Sequence, residues 1–404
     1  MNRKVFRELE NDPIVRSLLD NDAYKFAMQQ AVMHRYMDAD AVVEFHCRND
    51  EDLVPYIPVI REQVAAVASM RFTDDQLWYL NNIRFLKKGY VHFLSTFQLD
   101  HKQVSVTNKG GKLAIEIRGP WVSIIMWEVM LMAIISEIRN RTIYPEKTLD
   151  DVRKQIFKKV ERLEAQIQGE DMSGFHIADF GTRRRFSFDT QFAVSDFMLH
   201  ALPGIFIGTS NYHIARELKI TPIGTQAHEW FQAHQALGGS RLVDSQKAAL
   251  EAWAQEYRGD LGIALTDCIS MDAFIKDFDL YHAKLFDGVR HDSGDPIIWG
   301  EKAIKMYADL RIDPSAKTLV FSDGLTLDKS LELYRHFRGR IKTSFGIGTS
   351  LSCDIEGVKP MNMVLKMTMC NGQPTAKLSD SPGKTMCRDE NFLNYLKSTF
   401  NYKL

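Results

Sequence analysis

Seven short apolar segments recur between residues 174 and 350, and each ends in a small or polar turn before a helical stretch. Strand–loop–helix units in succession build a parallel sheet covered by helices. The number of units predicts an α/β protein with an irregular (β/α) barrel of about seven parallel strands, related to the (β/α)8 form. An open doubly wound sheet is the alternative. The segments are "FHIADFG", "GIFIGTS", "TPIGTQA", "GIALTDC", "KLFDGVRHDSG", "TLVFSDG" and "IKTSFGIGTS".

The remainder of the chain predicts a second, smaller unit. Residues 1–140 combine a helical pattern, "DNDAYKFAMQQAVMHRYM", with two alternating segments typical of strands, "AVVEFHCRN" and "GGKLAIEIRGP". A charged helical segment from about residue 145 then leads into the barrel, which we expect at 141–350. Strand-like alternation resumes in 351–404, so we expect this segment to return and complete an N-terminal α+β domain formed by 1–140.

Composition excludes several classes of partner. Lys and Arg total 51 and Asp and Glu total 52, and this balance favours neither nucleic acid nor an anionic membrane. The five cysteines are scattered without a CxxC pair, which indicates a reducing compartment. The first 15 residues lack the apolar run of a secretory signal. The apolar segment 121–138 is interrupted by Glu128, so we interpret it as a buried core helix and expect a cytoplasmic, soluble protein.

The turns that follow the seven strands share one chemistry. In a parallel barrel these turns meet on one face, where the active site forms. Glycines let backbone N–H groups approach an anion, arginines bind phosphate or carboxylate, and aspartates accept from sugar hydroxyls or hold Mg2+ through water. The combination predicts a phosphorylated sugar with magnesium as ligand. The groups are Phe180 to Arg183, Gly208 to Ser210, Gly224 to His228, Thr266-Asp267, Arg290 to Gly294, Ser322 to Gly324 and Gly346 to Ser350.

Structural interpretations remain open for individual groups. Gly-Thr and Ser-Asp-Gly steps are common in turns, so one such step alone is more often structural. Three adjacent arginines, Arg183 to Arg185, cannot all face one pocket. The Asp295-Pro296 step is explained by a helix start with proline at the first helical position.

His228 raises a separate question because it lies in "TQAHEW", directly before a helical segment. A zinc protease needs H-E-x-x-H, whereas here His228 and His234 are six residues apart and lie on different helical faces. A buried structural histidine is possible, but the position of His228 at a strand end favours a chemical role. His291, in "RHDSG", is the weaker candidate, and we expect it to support other residues of the site.

The chain resembles the nicotinate phosphoribosyltransferase family. The resemblance runs in order from "LLDNDAYKFAMQQA" through "HIADFGTRRRF", "PIGTQAHEW" and "GVRHDSGDP" to "SFGIGTSL" and "PTAKLSD". It implies transfer of a phosphoribosyl group from 5-phosphoribosyl 1-pyrophosphate to nicotinate, coupled to ATP hydrolysis. The histidine of the "TQAHE" motif, His228, would be phosphorylated by ATP, with an imidazole nitrogen as nucleophile. Asp267 would orient this ring or serve magnesium.

The resemblance also implies roles for other residues. Tyr24 and Phe180 would sandwich the pyridine ring, with Tyr24 supplied by the neighbouring subunit of a homodimer that shares its active sites. Arg183 and Arg290 would meet the nicotinate carboxylate or ligand phosphates, and Asp292 a ribose hydroxyl. The metal candidates are Asp267 and Asp292. The expected 5'-phosphate cradle consists of Gly348, Thr349, Ser322 and Asp323.

Ser210 bears on the choice of substrate. In the related enzyme that uses nicotinamide, an aspartate stands at this step and accepts from the amide. A serine can donate to a carboxylate, so the acid is the expected substrate. Two rivals remain at this point. Quinolinate phosphoribosyltransferase decarboxylates its substrate without ATP, and a non-catalytic nucleotide sensor would bind ligand without forming product.

Overall fold

A seven-stranded parallel sheet forms the barrel, and the order of its strands distinguishes it from an open doubly wound sheet. The computed structural model describes residues 13–381 and 383–403, so predictions on residues 1–12 fall outside this part of the chain. The first barrel strand along the chain, which is the fourth strand of the protein, pairs with the last barrel strand. Every other pair of neighbouring strands in this sheet consists of barrel strands that follow one another along the chain. This circular order is that of a (β/α) barrel, as the sequence predicted. The barrel is open between its third and fourth strands along the chain.

The seven strands of the barrel lie in the seven apolar segments that predict them. They are β1 (Asp40–Cys47), β2 (Val104–Lys109), β3 (Lys112–Pro120), β4 (Ile177–Asp179), β5 (Phe206–Thr209), β6 (Thr221–Pro222), β7 (Arg258–Leu261), β8 (Ile263–Leu265), β9 (Gly288–His291), β10 (Thr318–Phe321), β11 (Lys342–Ile347), β12 (Met363–Cys370), β13 (Gln373–Pro374), β14 (Ala376–Lys377) and β15 (Met386–Cys387). The parallel sheet has the order β6-β5-β4-β11-β10-β9-β8.

Helices follow the barrel strands and cover the antiparallel sheet. They are α1 (Ala23–Arg35), α2 (Ile57–Ser69), α3 (Asp74–Asn81), α4 (Lys88–Thr96), α5 (Trp121–Ile124), α6 (Trp127–Ile143), α7 (Leu149–Ile167), α8 (Phe188–Ala201), α9 (Tyr212–Leu218), α10 (His228–His234), α11 (Ser245–Tyr257), α12 (Met271–Asp277), α13 (Leu280–Leu285), α14 (Pro296–Asp309), α15 (Leu327–Phe337), α16 (Thr349–Ser352) and α17 (Glu390–Thr399). Asp295 caps α14 by accepting from the N–H groups of Ile297 and Ile298, both at 2.9 Å, with Pro296 at the first position as expected.

A five-stranded antiparallel sheet, in the order β13-β12-β1-β3-β2, contains strands from both ends of the chain. Strand β12 pairs antiparallel with β1 from Ala41 opposite Cys370 to Cys47 opposite Met363. The C-terminal segment thus lies in the same sheet as the N-terminal strands. The domain boundaries at 140 and 350 remain predictions.

The apolar segment that could resemble a membrane span is a core helix. Residues Trp121–Ile143 contain an 18-residue window with a mean hydropathy of 1.8, and 94% of that window is buried inside the protein. Both Trp121 and Trp127 are fully buried. The prediction of a buried helix at 121–138 is therefore confirmed.

The segment before α1 is anchored to the barrel, and this places the start of α1 at the barrel mouth. Arg185 donates to both carboxylate oxygens of Asp20, at 2.6 and 2.8 Å, and both side chains are fully buried. The N–H of Ala23 donates to the carbonyl of Ser210 at 2.7 Å. Residues 20 to 24 are consequently held against the loop that follows β5.

Candidate active site

A cavity of about 550 Å3 lies at the carboxyl ends of the barrel strands. Its walls come from the barrel loops, the start of α1 and one face of β12. A wider groove of about 950 Å3 between α7 and α8 on the outside of the barrel contains none of the predicted site residues. The predicted residues that line the inner cavity are Tyr24, Phe180, Arg183, Ser210, His228, Arg290, Asp292, Ser322, Asp323, Gly348 and Thr349.

Asp267 lies behind His228 rather than in the cavity wall. The imidazole Nε2 of His228 and Asp267 Oδ1 are 2.8 Å apart, and both side chains are buried. Burial lowers the pKa of His228 to about 4, and the positive charge of Lys377 acts in the same direction, although Asp267 opposes it. The imidazole is therefore neutral near pH 7. With Asp267 ionised, the shared proton resides on Nε2.

The second oxygen of Asp267 is also occupied. Asp267 Oδ2 accepts from Ser293 Oγ at 2.7 Å and lies 3.0 Å from Lys377 Nζ. Burial by itself raises the pKa of Asp267, but Lys377 and the hydrogen bonds hold it well below its usual range. Of the two roles that the sequence left open for Asp267, this geometry favours orienting His228 over binding magnesium.

Asp292 is better placed for a cation or a sugar hydroxyl. Its side chain is 28% exposed, and Oδ2 lies 3.5 Å from His228 Nε2. Its Oδ1 accepts from Ser322 Oγ at 3.2 Å. One ligand atom each from His228, Asp267 and Asp292 lies within 4.8 Å of the others, so the group could hold a metal ion. Mg2+ prefers oxygen ligands and retains water, which suits Asp292 more than the imidazole.

A set of cations in the cavity wall escaped the sequence analysis. Lys366 projects from β12, and Lys377 and Lys384 follow from the C-terminal segment. Burial and, to a smaller extent, the nearby charge of Lys377 lower the pKa of Lys366 to about 8. Lys384 Nζ contacts Asp323 Oδ2 at 2.7 Å. The lysine in the apolar strand "MVLKMTM" was a signal in the sequence, because lysines are rarely buried without a partner or a function. Arg48 and Arg184 complete this set.

Phe180 and Tyr24 line the same cavity within one chain. The segment anchored at Asp20 brings the chain's own Tyr24 to this cavity, and the supply of Tyr24 by a neighbouring subunit remains a prediction. The Tyr24 hydroxyl is buried and has no hydrogen-bond partner among the described residues. Gly346 allows the approach of Phe180, since a Cβ at Gly346 would lie 2.2 Å from the Phe180 ring. The homodimer itself remains a prediction.

The three arginines diverge, as the sequence predicted. Arg183 and Arg184 line the cavity, whereas Arg185 is buried against Asp20. Arg290 Nε is buried without a hydrogen-bond partner among the described residues, so a donor is available there for a ligand. His234 faces away, with its Nδ1 2.7 Å from the Trp230 carbonyl and its Nε2 3.0 Å from the Tyr36 hydroxyl. This arrangement excludes the zinc interpretation of the two histidines.

His291 has a supporting position, as expected. Its Nε2 lies 3.1 Å from the carbonyl oxygen of Gly294, and its ring packs edge-on against Trp299 with 5.2 Å between ring centres. These contacts hold the loop that carries Asp292.

A buried ionic network that was not predicted lies in the wall of the cavity. Lys25 is fully buried and contacts the carboxylates of Glu128, at 2.6 Å, and of Glu229. Glu229 also accepts from the indole N–H of Trp121 at 2.7 Å. Arg183 lies 3.6 Å from Glu128. Because Glu229 directly follows His228, the network connects Arg183 with the helix that carries the histidine.

The Ser210 hydroxyl has a hydrogen-bond partner within the protein, and its predicted contact with the substrate remains a prediction. Its Oγ donates to Asp22 Oδ1 at 2.7 Å, and both side chains are buried. A serine hydroxyl has one proton, so in this arrangement Ser210 cannot also donate to a ligand carboxylate. Sequence analysis missed Asp22 because nothing in the local sequence indicates that residues 22 and 210 meet.

A parallel barrel whose strand ends combine an imidazole–carboxylate pair with a wall of cations defines an enzyme that acts on phosphorylated substrates. Comparison with known proteins makes this class specific. Residues 175–404 match the nicotinate phosphoribosyltransferase (NAPRTase) family, and residues 19–136 match the N-terminal domain of that family. The chain belongs to the nicotinate phosphoribosyltransferase family and is an enzyme.

Individual relatives agree with the family match. The chain is similar to nicotinate phosphoribosyltransferase 1 of Pseudomonas aeruginosa, with 57% identity over 96% of this chain and 97% of the relative. Among solved structures it is similar to nicotinate phosphoribosyltransferase from Vibrio cholerae, with a TM-score of 0.94, 42% identity and coverage of 100% and 97% of the two chains. The Porphyromonas gingivalis enzyme gives a TM-score of 0.90 at 35% identity, covering 96% and 100%. The quinolinate and sensor interpretations are therefore set aside.

Proposed function

We propose that this enzyme transfers the phosphoribosyl group of 5-phosphoribosyl 1-pyrophosphate to nicotinate, forming nicotinate mononucleotide and pyrophosphate, and that it couples the transfer to ATP hydrolysis through phosphorylation of His228. The observation that carries the coupling is the buried, neutral imidazole of His228 held by Asp267 at 2.8 Å. Such a pair is the arrangement that activates an imidazole as a nucleophile or base.

Nδ1 of His228 is the proposed nucleophile. Nε2 is engaged with Asp267, and no hydrogen bond to Nδ1 occurs among residues 13–381 and 383–403. Attack of the Nδ1 lone pair on the terminal phosphorus of ATP forms an N–P bond and breaks the P–O bond to ADP. The ring then becomes positively charged, and the carboxylate of Asp267 stabilises that charge. Water later cleaves the N–P bond and restores the neutral imidazole with release of phosphate.

The phosphoribosyl transfer needs stabilisation of a leaving group rather than a base. The C1–O bond to pyrophosphate breaks while the pyridine nitrogen of nicotinate, already a lone-pair nucleophile, bonds to C1. Lys366, Lys377 and Lys384 in the cavity wall support binding of the departing pyrophosphate. When bound, Mg2+ would add positive charge there, and Asp292 is the residue that best fits it, with water and phosphate oxygens as its other ligands.

The remaining residues form two binding regions. Phe180 and Tyr24 would hold the pyridine ring between them, with Arg183 and Arg290 toward the nicotinate carboxylate or ligand phosphates. Gly348 and Thr349, which begin α16, together with Ser322 and Asp323, would hold the 5'-phosphate. The bond between Lys384 and Asp323 offsets the negative charge of that carboxylate. Product formation would supply a precursor of NAD.

The proposal is tested by measuring nicotinate mononucleotide formation from nicotinate and 5-phosphoribosyl 1-pyrophosphate with Mg2+, with and without ATP, in the wild type and in His228→Ala. We expect ATP to stimulate the wild type and to have no effect on the variant. Product formation without any ATP effect in either protein would retain the transferase and reject the phosphohistidine. Absence of product from nicotinate, under conditions where nicotinamide is consumed, would overturn the substrate assignment.

A further inference from the structure

The position of Asp22 against Ser210 is fixed by backbone contacts on both sides. Ala23 N–H donates to the Ser210 carbonyl at 2.7 Å, and Tyr212 N–H donates to the Asn21 carbonyl at 3.0 Å. Between these two bonds, Ser210 Oγ donates to Asp22 Oδ1 at 2.7 Å. Both side chains line the cavity next to Tyr24 and are at most 3% exposed. The pair is therefore part of the cavity wall next to Tyr24, and the backbone bonds on both sides hold the two residues opposite each other.

The charges around Asp22 leave it poorly compensated. Arg185 is neutralised by Asp20, through two bonds of 2.6 and 2.8 Å. Arg183 is the remaining cation that faces Asp22, and it lies 3.6 Å from Glu128 as well. Asp179, on β4, adds a further carboxylate nearby. The phenol of Tyr24 is uncharged, since burial raises its pKa well above the usual value.

Asp179 is already satisfied as an anion, whereas Asp22 is not. Asp179 accepts from Gly181 N–H at 2.8 Å and from the side chains of Gln191 and Thr209, each at 2.7 Å. Burial raises the pKa of Asp22, although Arg183 and the hydroxyls of Ser210 and Thr182 act in the opposite direction. A carboxylate ligand at this end of the cavity would bring one more negative charge toward Arg183, which already faces Asp22 and Glu128.

We propose that Asp22 is a specificity-determining residue which carries a proton when nicotinate is bound. The proton on Asp22 is donated to Ser210 Oγ, and the Ser210 hydroxyl is thereby free to donate to the nicotinate carboxylate. The inference rests on the proposed function, because it requires nicotinate in this cavity. It replaces the role expected of Ser210 alone with a role for the Asp22–Ser210 pair.

The same pair behaves differently toward an amide. With Asp22 ionised, Ser210 gives its proton to Asp22 and presents only lone pairs to the cavity, which suits the NH2 group of nicotinamide. Preference for the acid over the amide consequently depends on protonation of Asp22. Rising pH removes this proton, so the preference for nicotinate weakens as pH rises.

Asp22→Asn is the informative variant because an asparagine has the shape of a protonated aspartate and donates through its NH2. We expect the wild type to take up close to one proton per nicotinate bound, measured by titration calorimetry in two buffers of different ionisation enthalpy, and Asp22→Asn to take up none. In steady state, the KM for nicotinate should rise by up to about tenfold per pH unit above the pKa of Asp22 in the wild type and stay flat in the variant. The KM for 5-phosphoribosyl 1-pyrophosphate should have the same pH dependence in both proteins.

Equal proton uptake in the wild type and Asp22→Asn, or no uptake in a wild type that binds nicotinate, would overturn the inference. Failure of the wild type to bind nicotinate at all would instead overturn the proposed function. If Asp22→Asn fails to fold, Ser210→Ala serves as the second variant. Loss of proton uptake together with loss of acid preference in Ser210→Ala supports the pair, and full uptake with an unchanged preference rejects it.

Discussion

The ammonium group of Lys25 lies between the carboxylates of Glu128 and Glu229, with 2.6 Å to Glu128 Oε2, and is fully buried. Glu229 follows His228 on α10, and Glu128 also pairs with Arg183 at 3.6 Å. One buried cation therefore compensates two carboxylates that line the cavity. Lys25 itself is not among the residues that line the cavity, so its contribution is to hold in place the elements that carry Arg183 and His228.

Removing this cation should destabilise the protein strongly. Lys25→Met removes the buried cation that both carboxylates share and leaves Glu128 with Arg183 at 3.6 Å and Glu229 with the indole N–H of Trp121. Breaking a buried ion pair from one side costs about 3–5 kcal/mol. We expect a loss of that size in the free energy of unfolding from urea titration. Lys302→Met is the matched control, because Lys302 pairs with Asp272 at the same 2.6 Å but at the surface, where such a pair contributes about 1 kcal/mol or less. Equal losses in the two variants would contradict the role of burial.

Asp267→Asn should impair phosphorylation of His228 more than binding of nicotinate. Asparagine preserves the shape but supplies no negative charge, and its NH2 group, where it takes the place of Oδ1, is a donor that cannot accept from the N–H of Nε2. Loss of an orienting carboxylate of this kind reduces turnover by about 10²–10⁴-fold. Transfer of radiolabel from the terminal phosphate of ATP to the protein measures the step directly. Unchanged labelling in the variant would assign Asp267 a purely structural role.

The fold was accessible from the sequence because its signals are local. Each barrel strand is a short apolar segment that ends in a glycine or hydroxyl turn, and all seven predicted segments contain a strand of the parallel sheet. The antiparallel pairing of β1 with β12 joins residues more than 300 positions apart. Alternation predicted a strand near 363–370 but not which of its faces would form the cavity wall, and so Lys366 was missed.

The predicted residues that line the cavity, apart from Tyr24, lie in or after barrel strands, which is a local signal. What the sequence could not give was the partner of each polar group. The Ser210 hydroxyl is committed to Asp22 across 188 positions, and Lys25 meets Glu229 across 204. The family resemblance implied Tyr24 from another subunit, which remains a prediction, and no local pattern shows that Asp20 and Arg185 anchor the segment before Tyr24 to its own barrel. Long-range pairs of buried polar groups are the part of the site that only the structure supplies.

Gly346→Ala should weaken nicotinate binding selectively. An added Cβ would lie 2.2 Å from the Phe180 ring, so the ring must shift from its place in the cavity. Loss of an aromatic contact of about 0.5–1.5 kcal/mol corresponds to a rise of about 2- to 10-fold in the KM for nicotinate. Gly89→Ala, in α4 with no atom within 4 Å of the added Cβ, is the control and should leave this KM unchanged. A Gly346→Ala enzyme with the wild-type KM would show that the ring does not contact the substrate.

The stability of the protein should fall as pH decreases from about 6.5 to 4, in part through His234. Burial lowers the pKa of His234 from 6.5 to about 4, so the folded state keeps the ring neutral while the unfolded state binds a proton. The stabilising contribution of the neutral His234 ring is fully present above pH 6.5 and is lost progressively toward pH 4. By pH 5 the loss amounts to about 2 kcal/mol. Asp179 acts in the opposite sense, because burial raises its pKa to about 6.

The difference between variant and wild type isolates the histidine from these opposing groups. In His234→Gln, the free energy of unfolding should fall by about 2 kcal/mol less than in the wild type between pH 7.5 and pH 5. Glutamine can still donate to the Trp230 carbonyl and accept from Tyr36, the two bonds that His234 makes. His200→Gln, at a side chain that is 75% exposed, controls for the loss of a histidine as such. Parallel pH curves for His234→Gln and the wild type would mean that the buried ring accepts a proton in the folded state as readily as in the unfolded one.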